Sequence, residues 1–254
     1  MQFGCCAPID RAAEVHAAGF DYLEAAVTSL ISDQDDDAFA PVLAKYQASP
    51  IPIQAFNLYL PRDLKIVGPE IDHPRMEQYV KRSVARIRQI GATRAVMGSG
   101  GSRSIPEGFP RDQAVAQIVH FLNLLADETD GTELVIAIEP LNRRESNVIN
   151  SVVEGMEIAQ MVNRPSIRVL ADFYHMDEDD EPLDNMVKCK DWLEHVHVAD
   201  SNRQPPGGGD YPYSEFVSLL RQADYDGMVS IECPWSDFPS QAPLAVEFLR
   251  RVFA

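Results

Sequence analysis

The stretch "RDQAVAQIVHFLNLLADETDGTELVIAIEPL", Arg111 to Leu141, holds one repeat of the pattern that decides the fold. Over its first part, Arg111 to Glu128, apolar side chains return every three or four positions on a polar background, as in a helix with one buried face. A short polar break follows, and then a run whose centre is continuously apolar and which stops at Glu139. An uninterrupted apolar strand suits a parallel sheet covered by helices on both faces.

Outward from this unit the pattern recurs. "MQFGCC", "FDYLEAAV", "IPIQAFNLYL", "TRAVMGSG", "SIRVLADFY", "LEHVHVAD" and "GMVSIECPW" repeat the strand half, and "PRMEQYVKRSVARIRQI" repeats the helical half. Strands alternating with helices predict parallel βαβ units. Eight of them in 254 residues predict a (β/α)8 TIM barrel, with residues 1–254 as one domain. An open doubly wound sheet of eight strands would read similarly, but the count favours closure. No linker, low-complexity segment or further repeat interrupts the alternation. The longest irregular connection, Pro61 to Pro74, is of a length that is commonly functional in a compact domain.

Composition narrows the function. Hydrophobic residues at 45% and charged residues at 24% match ordinary globular proteins, which excludes disordered and fibrous classes. No apolar run approaches the roughly 18 residues of a membrane span, and Met1-Gln2-Phe3-Gly4 lacks the basic, apolar start of a signal peptide, so a cytoplasmic protein without a membrane partner is expected. Cys5, Cys6, Cys189 and Cys233 show no C-x-x-C spacing and read as reduced thiols. A formal charge of −17 repels phosphate backbones and argues against nucleic acid. Association with further copies of the chain is left open.

Four consecutive strands end at a residue able to bind metal: Glu139, Asp172, His197 and Glu232. Any one of them could be a helix N-cap or a solvent-facing loop residue. In succession, at the strand ends where barrel enzymes build active sites, they predict one shared site. Three carboxylates and an imidazole crowd unless a cation joins them, and this donor set suits one divalent metal ion: Mn²⁺, Mg²⁺, Co²⁺ or Zn²⁺. Residues two apart on a strand share a face, so His195 points inward beneath His197. It is either a support for the ligand or a hydrogen-bonded barrel histidine. Among the residues expected at its level, Ala137, Leu170 and Ser230, only Ser230 could offer it a hydrogen bond.

At "IEPLNRRE", "LADFYHM", "HVHVADSNRQPPGGGDYPY" and "SIECPW" the chain resembles the xylose-isomerase-like sugar isomerases and epimerases, most closely their ketose 3-epimerase branch. The resemblance is strong from Glu139 to Glu232 and weak before it. It implies that Glu139, Asp172, His197 and Glu232 bind the metal, that Glu139 and Glu232 are the catalytic acid and base, and that Glu145, His175 and Arg203 hold substrate hydroxyls. Taken on their own, those last three read equally as loop charge, loop histidine and solvated arginine. The implied activity is C3 epimerisation of a ketose, or aldose-ketose isomerisation, by proton transfer through a metal-stabilised enediolate, with a small sugar as partner.

Alternatives on the same site are a hydroxypyruvate isomerase, an inosose-type dehydratase and a non-catalytic sugar-binding barrel. An apurinic-site endonuclease is disfavoured by the charge and by Asn57 and Ser99 standing where more ligands would be needed. Where the 3-epimerases commonly carry aromatic residues, this chain has Cys5-Cys6 and "MGSGGSRSIPEGF". The amides of Gly98 to Ser104, with Arg103, could cradle a phosphate or form a flexible turn.

Overall fold

The computed structural model describes residues 1–254 and contains one closed barrel of eight parallel strands in sequential order. They are β1 (Gln2–Cys6), β2 (Tyr22–Ala26), β3 (Ile53–Asn57), β4 (Arg94–Met97), β5 (Val135–Ile138), β6 (Ile167–Asp172), β7 (Leu193–Val198) and β8 (Met228–Ile231). The sheet closes where Phe3 of β1 pairs with Val229 of β8. All eight expected strands are present, and closure rules out the open sheet.

Sequence pattern explains the packing. In the helix Arg111–Thr129 the buried residues Ala114, Ile118, Phe121, Leu122 and Leu125 keep the three-to-four spacing and meet the barrel. Side chains of Asp35, Asp72 and Ser151 cap the helices Asp36–Gln47, His73–Ile90 and Val152–Val162 by accepting a backbone N–H three residues on. One core of 63 buried residues fills the space between strands and helices. No helix is long and apolar enough to cross a membrane.

The connection after β3 is irregular up to Asp72, and Pro74 already lies in the first turn of the next helix. It is pinned by buried Leu64, Ile66 and Val67, and by paired hydrogen bonds between Gly68 and the Gln117 amide. This anchoring carries Leu58, Leu60 and Arg62 to the carboxyl-end mouth of the barrel.

Candidate active site

The four strand-end residues converge. One ligand-capable atom from each of Glu139, Asp172, His197 and Glu232 lies within 4.8 Å of all the others. His197 Nδ1 is 3.5 Å from Glu139 Oε1, 3.6 Å from Glu232 Oε2 and 3.8 Å from Asp172 Oδ2. Asp172 serves two purposes: Oδ1 caps the following helical turn by accepting the His175 N–H, while Oδ2 faces the cluster. The helix-cap reading of that aspartate therefore also holds.

These residues fit a divalent cation. His197 Nδ1 and Glu139 Oε1 are buried and make no hydrogen bond, which is costly for polar atoms unless something else satisfies them. His197 Nε2 is occupied by Glu24 Oε1 at 2.9 Å and so keeps its hydrogen, which makes Nδ1, facing the carboxylates, the nitrogen that can give a lone pair to a cation. Three carboxylates and one imidazole nitrogen around a common point form a donor set for a borderline-to-hard ion.

Electrostatics separates the two glutamates. Burial, followed by the charge of Glu232, pushes the Glu139 carboxyl above its ordinary range. Burial acts the same way on Glu232, but His197 and Arg203 outweigh it and hold that carboxyl down at about 2. Asn57 Nδ2 donates to Glu232 Oε1 at 2.9 Å and Arg203 Nη2 donates to Oε2 at 3.0 Å, which fixes the carboxylate in place.

The three residues expected around a substrate lie on the same pocket, of about 470 Å³, whose inner wall includes Glu139 and Glu232. Asn142 donates both its backbone N–H and its side-chain amide to His175 Nδ1, leaving Nε2 as the ring N–H. That nitrogen is buried, has no partner and lies 3.9 Å from Glu139 Oε1. Arg203 bridges Glu145 and Glu232 and lies over the Tyr174 ring. Its left-handed φ of 57° follows from the loop: Asp200 accepts the N–H groups of Ser201, Gly207 and Tyr211, folding the glycine-rich segment back so that Arg203 turns inward.

Geometry and comparison agree on the family, whose profile, xylose isomerase-like TIM barrel, matches residues 12–252. The chain belongs to the xylose isomerase-like TIM barrels. A probable ketose 3-epimerase from Synechocystis sp. is 26% identical over 184 residues, 70% of this chain and 63% of that protein. A D-psicose 3-epimerase from Agrobacterium fabrum is 32% identical over 126 residues, 48% of this chain. That match spans 44% of the relative's own length, so both alignments fall short of two thirds of the proteins they reach. A crystal structure of D-psicose 3-epimerase in the presence of D-fructose superposes with a TM-score of 0.86 at 21% identity, covering 100% of this chain and 99% of that one.

Two expectations for this xylose isomerase-like barrel are corrected. Ser230 is not the partner of His195: β8 is staggered so that Ser230 is level with His197, while His195 is level with Met228. Both His195 Nε2 and Ser230 Oγ bond Glu24 Oε2 instead, at 2.8 and 2.5 Å. Nor is Gly98–Ser104 an irregular turn, or Arg103 free to hold a phosphate beside its amides, although Ser99 to Ser102 do line the pocket. Gly100–Arg103 forms a helical turn, and Arg103 is fully buried, donating to the carbonyls of Met97, Glu139 and Ile149. The guanidinium braces the strand ends that carry Glu139 and faces away from the pocket.

Sequence reasoning missed Glu24 and Asn142, and read Asn57 only as a ligand that is lacking. Glu24 did carry a signal, since a carboxylate inside the apolar run "YLEAA" must be paired if that run is buried. For the two asparagines the signal was weak, because the partners are separated by 175 and 33 residues.

Proposed function

We propose that this protein is a divalent-metal-dependent sugar epimerase acting on a ketose, with Glu139 and Glu232 as its acid-base pair. The observation that carries this reading is the pair itself: a buried carboxyl just after β5 and a half-buried one just after β8, pushed in opposite directions from their ordinary range, on the wall of one pocket. Carboxyls driven apart in this way divide the roles of acid and base. The named activities of the ketose 3-epimerase relatives support the same reaction class.

Glu232, ionised and held by Arg203 and Asn57, takes the proton from the carbon beside the ketone. Glu139, whose carboxyl burial and Glu232 shift upward, returns a proton to the opposite face, so the configuration at that carbon inverts. His175 Nε2–H donates to a substrate oxygen, and Arg203 with Glu145 orients a hydroxyl. A divalent cation held by Glu139, Asp172, His197 and Glu232 supplies positive charge where the substrate oxygens become negative. Leu58, Leu60 and Leu141 line the pocket beside these polar groups and give the sugar carbons an apolar wall.

The test is solvent exchange. Incubated with the metal-loaded protein in D2O, a ketose substrate should gain deuterium at C3 and appear as two epimers by NMR. Label appearing with an aldose indicates isomerisation, and loss of water indicates a dehydratase. The substitution Glu232→Gln should cut exchange by about 10³-fold, within the usual range for a removed acid-base group. Exchange at the wild-type rate in that variant removes Glu232 from the role.

A further inference from the structure

We propose that Glu24 is a positioning residue that decides which nitrogen of His197 faces the acid cluster and so sets the affinity of the site for its cation. The proposal rests on the reading of Glu139, Asp172, His197 and Glu232 as one metal site. Glu24 lies on β2, across the barrel from β7, and is fully buried. An imidazole offers two nitrogens to a metal, and a ring free to exchange them would spend part of its time presenting an N–H. A carboxylate oxygen only accepts. Because Glu24 Oε1 meets His197 Nε2 at 2.9 Å, that nitrogen must carry a hydrogen, and Nδ1, which faces the carboxylates, is the one left to ligate a cation.

Glu24 is itself immobilised. Its second oxygen takes His195 Nε2 at 2.8 Å and the Ser230 hydroxyl at 2.5 Å, and Tyr22 OH bonds the Ser230 oxygen at 2.7 Å. Every donor in this network is buried, so no water competes and the carboxylate cannot turn away from His197. The second histidine of the H-x-H strand thereby gains a purpose: it holds the carboxylate that holds the ligand. A carboxylate behind a ligating imidazole also makes the ring a stronger donor, and losing such a partner typically weakens metal affinity about 10- to 100-fold.

The isosteric change Glu24→Gln makes the test sharp. A glutamine presents one oxygen and one NH2 to two histidine N–H groups, so one contact becomes donor against donor. The expected result is a Co²⁺ dissociation constant raised about 10- to 100-fold with a shifted visible spectrum, while Ser230→Ala, which removes a donor from Glu24 but leaves His197 alone, changes it less than about threefold. Should Glu24 serve only to fill the barrel, both variants would lower Tm and leave Co²⁺ affinity unchanged, which overturns the proposal.

The wild type gives an answer even if Glu24→Gln does not fold. In ¹⁵N-histidine NMR of the Zn²⁺-loaded protein, Nδ1 of His197 should be the metal-bound nitrogen and Nε2 should carry a strongly downfield proton. Coordination through Nε2 overturns the proposal. A wild type that binds neither Co²⁺ nor Zn²⁺ fails the metal-site reading itself and is told apart by that measurement alone.

Discussion

Replacing Gly98 by alanine should leave the fold intact and disable the site. Gly98 follows β4, and a Cβ placed there would lie 1.9 Å from Glu139 Oε2 and 3.0 Å from its Cδ. Since real Cβ contacts essentially never fall below 3.0 Å, the carboxylate must retreat by about 1.1 Å or more. The backbone makes no objection, because Gly98 is not among the residues with positive φ. What yields is the far end of one side chain, so the folding cost is small and partly offset by the roughly 0.4–1 kcal/mol that Gly→Ala contributes at a compatible position.

Glu139 nevertheless cannot move 1 Å without consequence, since its Oε1 stands 3.5 Å from His197 Nδ1 and 3.9 Å from His175 Nε2. A displacement of that size at a reacting group costs about 10²-fold, equivalent to about 2.7 kcal/mol of barrier. The assay pairs deuterium uptake by a ketose in D2O with Co²⁺ titration and a thermal melt. Gly98→Ala should show Tm within about 3 °C of wild type, exchange down about 100-fold and weaker Co²⁺ binding. A variant that exchanges within threefold of wild type would refute the tight placement of Glu139 and its part in the chemistry.

Arg103 supports the opposite outcome, stability lost before chemistry is considered. Its guanidinium satisfies three buried carbonyls, so Arg103→Met should destabilise by about 3 kcal/mol and lower Tm by about 6–12 °C in a thermal melt. The pH dependence of metal uptake follows from His197. Burial disfavours its charged form, but Glu24 and Glu232 outweigh burial and hold its pKa well above the ordinary value. Without a bound ion Nδ1 therefore tends to carry a proton too, which a cation must displace to reach the lone pair that Glu24 turns toward the cluster. Metal affinity should rise with pH through neutrality, about tenfold per pH unit for each proton displaced, with at least one proton released per ion by calorimetry in buffers of different ionisation enthalpy. Affinity independent of pH would contradict a ligating His197.

Periodicity alone determined a great deal about this protein. The apolar runs and the helical spacing between them placed eight strands and their order, and strand alternation put Glu139, Asp172, His197 and Glu232 at one end, because side-chain direction along a strand is a local property. The family resemblance, and not local pattern, pointed to Glu145, His175 and Arg203, which line the same pocket.

What only the tertiary structure decided are the pairings across the barrel. Closure brings Glu24 of β2 against two histidines of β7, and the stagger between β7 and β8 hands Ser230 to Glu24 instead of to His195. The packing of β4 against β5 makes Gly98 a space reserved for Glu139 and turns Arg103, which reads on paper as an anion-binding residue, into a buried brace. Registry between strands is set by the closure of the whole barrel and by the sum of its packing contacts, so Glu24 and Ser230, 206 positions apart, meet at a distance that no local pattern encodes.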